Sequence, residues 1–242
     1  MNILILGYGK MGKTIERKAG ERGHTIIAKV DVDNREQVLE ELDPSQVNVA
    51  IEFTQPESAP TNIRYCLKHN IPVISGTTGW LKEKASLEDY CIEHNGAFFY
   101  ASNFSIGVNI FFKLNEYLAS IMKNYQDYEP EVEEIHHTHK KDAPSGTAIS
   151  IAQGMLKHLP AKSDWQLEGR QSATPGQDIK IRSVREGEVP GTHTVTYRSE
   201  IDDLHIKHEA HGREGFALGA VLVAEWMKNK KGILGMDDFI KF

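Results

Sequence analysis

The chain has 242 residues, with 28 Lys and Arg against 34 Asp and Glu, a formal net charge of −6, two cysteines and 40% hydrophobic residues. This length and apolar content suffice for one large or two small folded domains, and they argue against a disordered tail, a disulfide scaffold or a coiled coil. The mild negative charge, without any block of Lys or Arg, argues against a nucleic-acid partner, which needs a basic surface.

The first hundred residues alternate short apolar runs with longer amphipathic segments. Regular alternation of strand and helix is typical of a parallel sheet with helices on both faces. The predicted strands are Ile3–Leu6, Thr25–Val30, Val47–Phe53, Pro72–Ser75 and Ala97–Tyr100, and the clearest helices between them are Lys10–Arg22 and Glu57–His69.

After Asn103 the pattern changes, and we place a domain boundary there. Turn residues between Ile179 and Ala210 separate three strand-like stretches and predict an antiparallel meander. The polar segment 163–177 is predicted to be a mobile loop. The other predicted elements are helices at Phe104–Lys123, Ser145–Leu159 and Phe216–Lys228 and a strand at Val132–Ile135.

The cellular compartment is predicted from the apolar runs and the cysteines. The first apolar run, Ile3–Leu6, is shorter than the roughly 7–15 residues of a signal-peptide core. No stretch approaches the about 20 apolar residues of a membrane span. Cys66 and Cys91 lie in helix-like segments without metal-ligand spacing, so we interpret both as buried free thiols. We therefore expect a soluble, cytoplasmic protein with no membrane partner.

A glycine-rich turn follows the first predicted strand and begins the first predicted helix. Its sequence, Gly7-Tyr8-Gly9-Lys10-Met11-Gly12, fits G-x-G-x-x-G, and Asp31 stands nineteen residues further on, after the second strand. The glycines permit a tight turn, approach of a pyrophosphate and close helix–strand packing, while the helix N-terminus offers N–H groups to phosphate. A turn without function is the alternative, but strand, turn, helix and acid together favour a dinucleotide site.

Asp31 bears on the choice of cofactor. Its carboxylate would accept hydrogen bonds from an adenosine ribose, which favours NADH. A 2′-phosphate would be repelled unless Lys10 or Arg35 offset the charge, so NADPH stays open. An ordinary polar residue at the end of a strand is the competing interpretation of Asp31.

A second turn, Gly76-Thr77-Thr78-Gly79, follows the fourth predicted strand. It lies at the carboxyl end of a parallel strand, on the edge where ligands of open α/β sheets bind. Its two glycines and two hydroxyls suit the close approach of a nicotinamide or its ribose. A plain strand-to-helix turn is the alternative.

The segment from Glu134 to Thr147 is the richest in reactive side chains. Its three close histidines suggest a metal site, but successive strand residues point to opposite faces and no further ligand completes a set, so we predict no metal. His136 and His137 can both face one site only if the strand ends at Ile135 or His136.

The same segment places an acid next to an anion-binding helix start. His136 can donate a proton near neutral pH, Lys140 lies four residues on, and Ser145-Gly146-Thr147 begins the next helix. This combination suits a small anionic substrate. For His139 and Lys141 a solvated strand end is the simpler interpretation.

These motifs resemble the 4-hydroxy-tetrahydrodipicolinate reductase (dihydrodipicolinate reductase) family of bacterial lysine and diaminopimelate biosynthesis. The string His136-His137-x-x-Lys140-x-Asp142-Ala143-Pro144-Ser145-Gly146-Thr147 is highly specific to that family, whereas the other motifs are weaker by themselves. The resemblance runs through the glycine loop, the turn at Gly76, Ala101-Ser102-Asn103-Phe104-Ser105, the histidine string and the segment Arg213 to Ala220.

The resemblance implies the reduction of 4-hydroxy-tetrahydrodipicolinate by NADH or NADPH, with loss of water. It implies that His136 is the general acid and that Lys140 assists protonation and charge balance. The expected substrate ligands, including the helix start and a further cation, are His137, Lys140, Ser145, Gly146, Thr147 and Arg213. The expected cofactor residues are Gly7, Tyr8, Gly9, Lys10, Met11, Gly12, Asp31, Gly76, Thr77, Thr78, Ala101, Ser102, Asn103 and Phe104.

The family's fold implies two domains, the first completed by the C-terminal segment. We predict an α/β fold in which 1–103 and 213–242 form a Rossmann-type dinucleotide-binding domain with a parallel sheet. Residues 104–212 are predicted to form an α+β domain with an open mixed sheet, for substrate binding and assembly into a homotetramer. Another NAD(P)-dependent amino-acid or sugar dehydrogenase, or an NAD(H)-sensing protein without turnover, is the alternative, and the histidine string counts against both.

Overall fold

Alternating strands and helices build the first of two units in a computed structural model that describes residues 1–170 and 176–241. This unit comprises Met1–Ile106 and Glu214–Phe242. Its strands are β1 (Asn2–Leu6), β2 (Thr25–Val30), β3 (Val49–Glu52), β4 (Val73–Ser75), β5 (Ala97–Tyr100) and β11 (Gly232–Leu234). Its helices are α1 (Lys10–Glu21), α2 (Arg35–Glu41), α3 (Ala59–Lys68), α4 (Lys84–Glu93), α7 (Glu214–Trp226) and α8 (Met236–Phe239), with 3₁₀ turns at Pro44–Gln46 and Leu81–Glu83.

All six strands of this sheet run parallel, in the order β11-β5-β4-β3-β1-β2. Both faces are buried, because Ile3 and Ile5 of β1 pack into a core with α1 and α7, whereas Leu4 and Leu6 pack into a second core with α3 and α4. A strand buried on both faces reads as a continuous apolar run. The predicted Rossmann-type parallel sheet is therefore confirmed, and β11 extends its edge with a C-terminal segment.

The second unit, Gly107–Arg213, is built on a mixed sheet. The strand order is β10-β9-β6-β8-β7, with β6 antiparallel to β9 but parallel to β8. Its elements, taking α5 from its first residue, are α5 (Ile106–Met122), β6 (Glu129–His136), α6 (Gly146–Leu156), β7 (Asp164–Leu167), β8 (Asp178–Arg185), β9 (Thr192–Arg198) and β10 (Asp203–Glu209).

Side chains of α5 and α6 cover one face of this sheet. Phe111 of α5 and Ile151 of α6 share a core with Val132, Ile181 and Val195 of the strands. The opposite face carries polar side chains that are exposed or half-buried, among them Glu131, Glu133, Lys180, Arg182, Thr194 and Thr196. The prediction of an open mixed sheet is confirmed.

Two expectations for the second unit are wrong. The meander fails because β6 lies between β8 and β9, so only β9 and β10 form an antiparallel hairpin. Glycine and proline mark where strands end, but they carry no information about which strands pair. The segment 163–177 contains the edge strand β7, whose half-buried Asp-Trp-Gln-Leu sequence has a weak apolar pattern. The part of this predicted loop at 171–175 lies outside the described residues.

Cys66 and Cys91 are buried free thiols, as predicted. Burial raises the pKa of both. Over the ranges 1–170 and 176–241, the helices are all too short or too polar to cross a membrane.

Candidate active site

The carboxyl ends of adjacent parallel strands bring the predicted cofactor motifs to one edge of the first sheet. The glycine loop follows β1, Phe53 and Thr54 follow β3, Gly76 follows β4 and Ala101 follows β5. The crevice at such an edge, next to the point where the strand order reverses, is where open α/β sheets bind ligands. Here the reversal lies between β1 and β3.

The glycine loop leaves no room for a side chain at its first and third glycines. Gly7 has a φ of +95°, and a Cβ there would lie 2.0 Å from the Phe53 carbonyl oxygen. A Cβ on Gly12 would lie 2.2 Å from the Gly7 carbonyl oxygen. Gly9 precedes α1, whose first turn carries neither a side-chain cap nor an acidic residue. The first N–H groups of α1 are therefore available to an anion.

A cavity of about 150 Å³ lies beside this loop. Asp31 lines it together with Gly7, Gly9 and Arg35. The Arg35 Nε donates a 2.9 Å hydrogen bond to Asn62 Oδ1, which holds the guanidinium at the cavity. The structure thus brings the ribose-binding candidate Asp31 and the cation that could offset its charge to the same cavity.

The turn after β4 is held by a buried carboxylate that the sequence did not single out. Glu52 is fully buried, and one of its oxygens accepts a 2.8 Å hydrogen bond from the Thr77 hydroxyl while the other accepts one of 2.6 Å from Ser75. Burial raises the pKa of Glu52, against the lowering effect of these hydrogen bonds. A Cβ on Gly76 would collide with the Phe53 ring. The turn is thus rigidly joined to the end of β3.

The remaining predicted cofactor residues occupy different environments. Tyr8 donates a hydrogen bond to Glu16 and its ring lies 4.9 Å from Lys29 Nζ, so its side chain stabilises α1 against β2. Phe104 is buried in the core, 5.5 Å from the Phe53 ring. The polar residues Lys10, Thr78 and Ser102 are exposed, Asn103 is half-buried, Met11 packs partly against the core and Ala101 is buried.

The second cluster of polar groups forms where β6 ends. Every second residue of β6 points to the helix-covered face of the sheet, and these include Val132, Glu134 and His136. The strand ends at His136, so the alternation of side chains along a strand does not fix the direction of His137. His136 pairs in register with Arg185 of β8, and Glu134 pairs with His193 of β9. Neighbouring strands therefore gather these side chains around one position.

Glu134 is the centre of this cluster. It is fully buried, and its Oε1 accepts hydrogen bonds from the Ser145 backbone N–H at 3.0 Å, the Ser183 hydroxyl at 2.7 Å and the Arg185 Nη2 at 3.0 Å. Its Oε2 lies 3.3 Å from His136 Nε2 and 4.0 Å from His193 Nε2. Burial alone would raise the pKa of Glu134, but hydrogen bonds with its partners, that with His136 first among them, hold it well below its usual range.

The two histidines differ in their environments. His136 Nε2 and His193 Nε2 are 3.4 Å apart. Burial, and then the proximity of His136, lower the pKa of His193 to about 4, so His193 is neutral near pH 7. A Cβ on Gly191 would lie 2.8 Å from His136 Cε1, so the glycine makes room for the imidazole ring.

One ligand atom from each of Glu134, His136 and His193 lies within 4.8 Å of the other two, a spacing that a metal ion could use. The Arg185 guanidinium already supplies a positive charge to this carboxylate. We therefore interpret the cluster as a charge network, and the absence of a metal from the working enzyme stays a prediction.

Helix α6 begins beside this cluster. Ser145 caps it, because its Oγ accepts a 3.1 Å hydrogen bond from the Ala148 N–H. A Cβ on Gly146 would meet nothing within 4 Å, and Thr147 is half-buried. The first turn carries no acidic residue. The N–H groups of Gly146 and Thr147 are therefore suited to an anion such as a carboxylate.

The other predicted substrate residues, His137, Lys140 and Arg213, lie outside the hydrogen-bonded cluster around Glu134. Lys140 Nζ lies 2.8 Å from an Asp142 carboxylate oxygen, and this ion pair lowers the pKa of Asp142. His137 is half-buried, with its ring 6.3 Å from that of the exposed His139. Arg213 is exposed in the connection between β10 and α7. Within the described part of the chain it makes no hydrogen bond or ion pair with His136.

Sequence reasoning missed Arg185, Gly191 and His193. They lie about 50 residues after the histidine string, in strands whose partners were predicted wrongly. Glu134 stood within the recognised segment but received no role. The one available signal was Gly191-Thr192-His193, a glycine and a histidine at the start of a predicted strand.

A parallel sheet with a glycine loop at its carboxyl edge, and an imidazole–carboxylate cluster at a helix N-terminus, are features of an NAD(P)H-dependent oxidoreductase. Two family models match the chain: "Dihydrodipicolinate reductase, N-terminus" over residues 1–104 and "Dihydrodipicolinate reductase, C-terminus" over residues 107–240. The chain belongs to the dihydrodipicolinate reductase family.

Relatives support this membership over the full length. The chain is 48% identical to the 4-hydroxy-tetrahydrodipicolinate reductase of Christiangramia forsetii, over 99% of this chain and 98% of the relative. It is 36% identical to the enzyme of that name from Methanosarcina acetivorans, over 94% of this chain and 86% of the relative. Its fold is similar to a dipicolinate-bound dihydrodipicolinate reductase from Paenisporosarcina sp. TG-14, with a TM-score of 0.75, 22% identity and coverage of 100% and 99%.

Proposed function

We propose that this chain reduces 4-hydroxy-tetrahydrodipicolinate to tetrahydrodipicolinate with loss of water, in lysine and diaminopimelate biosynthesis. The observation that carries the proposal is the placement of His136 against a buried carboxylate, Glu134, that also accepts the Ser145 N–H at the start of α6. A protonated imidazole beside a helix N-terminus can both bind a dicarboxylate and protonate it. The reductant, NADH or NADPH, supplies the hydride when bound.

The first unit holds the cofactor through backbone groups. We assign the phosphates to the glycine loop and the N-terminus of α1, and the adenosine ribose to Asp31. The turn at Gly76-Thr77-Thr78 and the segment Ala101 to Phe104 are assigned to the nicotinamide end, because both follow strands on the far side of β3 from the adenosine cavity. Glu52 keeps the first of these turns in place through Thr77.

The second unit holds the substrate and delivers the proton. We assign the substrate carboxylates to the N–H groups of Gly146 and Thr147, with Ser145 shaping the helix start. His137, Lys140 and Arg213 supply further hydrogen-bond donors or positive charge. His136 is assigned as the general acid, since it can protonate the anion that hydride addition leaves. Lys140 must release Asp142 or share its charge to take part.

We also propose the domain roles and the assembly. Residues 1–103 with 213–242 are the dinucleotide-binding domain, and 104–212 form the domain for substrate binding and oligomerisation. A homotetramer is supported by exposed apolar side chains along α5, at Ile110, Leu114, Tyr117 and Ile121. Two free thiols without a disulfide fit a reducing cytoplasm.

The test is a coupled assay. The substrate is made in situ from aspartate semialdehyde and pyruvate by the preceding synthase, and the absorbance of NADH or NADPH is followed after this protein is added. We expect oxidation of at least one cofactor that depends on both the synthase and this protein. Oxidation of neither cofactor would refute the proposal.

A further inference from the structure

The function proposed above assigns no step to Glu134 or His193, although both are buried and adjacent to His136. We propose that they are positioning residues that hold the Nε2 edge of His136, so that Nδ1 is the atom that passes the proton to the substrate. This inference rests on the proposed role of His136 as the general acid.

The two oxygens of Glu134 are used differently. Three donors from Ser145, Ser183 and Arg185 occupy Oε1 and fix the carboxylate. Oε2 has no other donor among the described residues and faces His136 Nε2 at 3.3 Å. A carboxylate fixed in this way accepts a proton-bearing Nε2, which selects both the tautomer and the orientation of the ring.

His193 completes the hold on Nε2. Its own Nε2 lies 3.4 Å from His136 Nε2 and 3.4 Å from the Ser145 hydroxyl. Two facing imidazole nitrogens at this distance cannot both carry a proton, so the neutral His193 presents a lone pair and His136 the N–H. His193 therefore carries its proton on Nδ1, which has no hydrogen-bond partner among the described residues.

The other edge of the His136 ring is left for chemistry. Within the described part of the chain, Nδ1 of His136 makes no hydrogen bond. A Cβ on Gly191 would lie 2.8 Å from Cε1 and 3.3 Å from Nδ1, so the glycine keeps this edge of the ring free of a side chain. The charged and titratable groups at this ring are Glu134 on β6, which Arg185 of β8 neutralises, and His193 on β9. His208 on β10 and Lys140 in the following loop act on the neighbouring His193. Of these, the Glu134 carboxylate is the anion in contact with His136 and stabilises its protonated form.

The test is the pH dependence of kcat in the coupled assay, because the rate falls at high pH when the acid loses its proton. Glu134→Gln keeps an oxygen for Ser145, Ser183 and Arg185 but turns an NH₂ group toward His136 Nε2, which favours the unprotonated ring. We expect kcat at pH 7 to fall about 10-fold or more and the alkaline limb to move down by about one pH unit. KM for the cofactor should not change.

Conservative and matched variants separate positioning from folding. Glu134→Asp keeps the charge, so its alkaline limb should stay near that of the wild type although kcat falls. Glu133→Gln is the control, since it removes a carboxylate from the opposite face of the same strand. If the wild type is active and a folded Glu134→Gln variant keeps the alkaline limb of its pH profile at the wild-type position, the inference is overturned and the proposed function stands. If the wild type oxidises neither cofactor, the proposed function and the inference are both overturned.

His193 tests the inference if Glu134→Gln does not fold. His193→Phe removes the lone pair, and we expect kcat to fall about 10-fold with an unchanged cofactor KM. His193→Gln restores a polar acceptor near Nε2 and should recover most of this loss. His205→Gln, on the exposed β10, is the matched control. A fully active His193→Phe enzyme would overturn the inference.

Discussion

The chemistry of this protein depends on a few side chains whose surroundings differ more than their sequence positions suggest. His136 and His193 are both half-buried or buried imidazoles, yet one faces a carboxylate oxygen at 3.3 Å and the other is mainly desolvated. Different surroundings can give two similar side chains different roles in one site. At this scale the contact with Glu134 distinguishes His136, and burial distinguishes His193.

His136→Gln tests the proton donor directly. Gln cannot donate a proton as an acid, so we expect kcat to fall about 10²-fold to 10⁴-fold. Binding of NADH, measured by fluorescence titration, should change little because the assigned cofactor residues belong to the first unit. His139→Gln, which alters an exposed neighbour, is the control. Equal losses in turnover and cofactor affinity would mean that the acid is misassigned.

His193 should also make stability depend on pH. Its pKa of about 4 in the fold lies below the ordinary 6.5, so between these values the unfolded chain takes up a proton that the native chain does not. Native stability is therefore full above about pH 6.5 and is lost as the pH falls toward 4, by roughly 3 kcal/mol at the limit.

The measurement is thermal unfolding between pH 4 and pH 7. The wild-type Tm should fall more steeply with acid than that of His193→Gln, which has no proton to take up. His205→Gln should follow the wild type, because that ring is exposed. Parallel curves for wild type and His193→Gln would contradict the assigned burial.

At the scale of single elements, α1 has a glycine near each end, and the two glycines have different surroundings. Its first turn approaches the glycine loop so closely that Gly12 admits no side chain, whereas a Cβ on Gly20, in the last turn, would meet nothing within 4 Å. The same residue type is thus required for packing at one end and tolerated at the other. This difference gives a matched pair of variants within one helix.

Gly12→Ala should destabilise the protein by about 1–3 kcal/mol and weaken NADH binding, because the new methyl group displaces the Gly7 carbonyl that shapes the phosphate loop. Gly20→Ala should instead be neutral or stabilise by up to about 1 kcal/mol, through helix propensity. Urea unfolding with and without NADH measures both effects. Equal stability of the two variants would contradict the packing described for α1.

At the scale of the whole molecule, each of the two units supplies chemistry that the other lacks. The first has the glycine loop that we assign to the cofactor phosphates, at the edge of a parallel sheet, and the second has the proposed acid His136, at the end of β6 in a mixed sheet. Assembly belongs to the same scale, because the second unit leaves one sheet face uncovered and Tyr117 of α5 is 67% exposed. Exposed apolar side chains in a row mark surfaces that bind a partner.

We expect the purified protein to assemble into tetramers. Size-exclusion chromatography with light scattering should give about four times the mass of one chain at micromolar concentration, since burying the α5 side chains favours association. Dilution should lower the mass only at much smaller concentrations. A monomer throughout that range would contradict the proposed homotetramer.

Local patterns in the sequence were enough to predict the parallel sheet. Continuous apolar runs, such as Ile3–Leu6, identify strands buried on both faces, and the spacing of Gly7, Gly9 and Gly12 predicts a phosphate loop at a strand end. The histidine string likewise identified the family and singled out His136 as the proposed acid. Each of these signals is contained in a segment of fewer than about 20 consecutive residues, and within such a segment the spacing of residues fixes their geometry.

Only the tertiary structure decided which distant strands meet. The pairing of β6 with both β8 and β9 brings Arg185 and His193 to Glu134. The same pairing is the reason that the predicted meander does not form. Strand pairing depends on the packing of a shared core and on crossover connections, which short sequence patterns do not encode. The proposed acid, His136, was thus identified from the sequence, whereas its charge partners were brought to it by the pairing of distant strands.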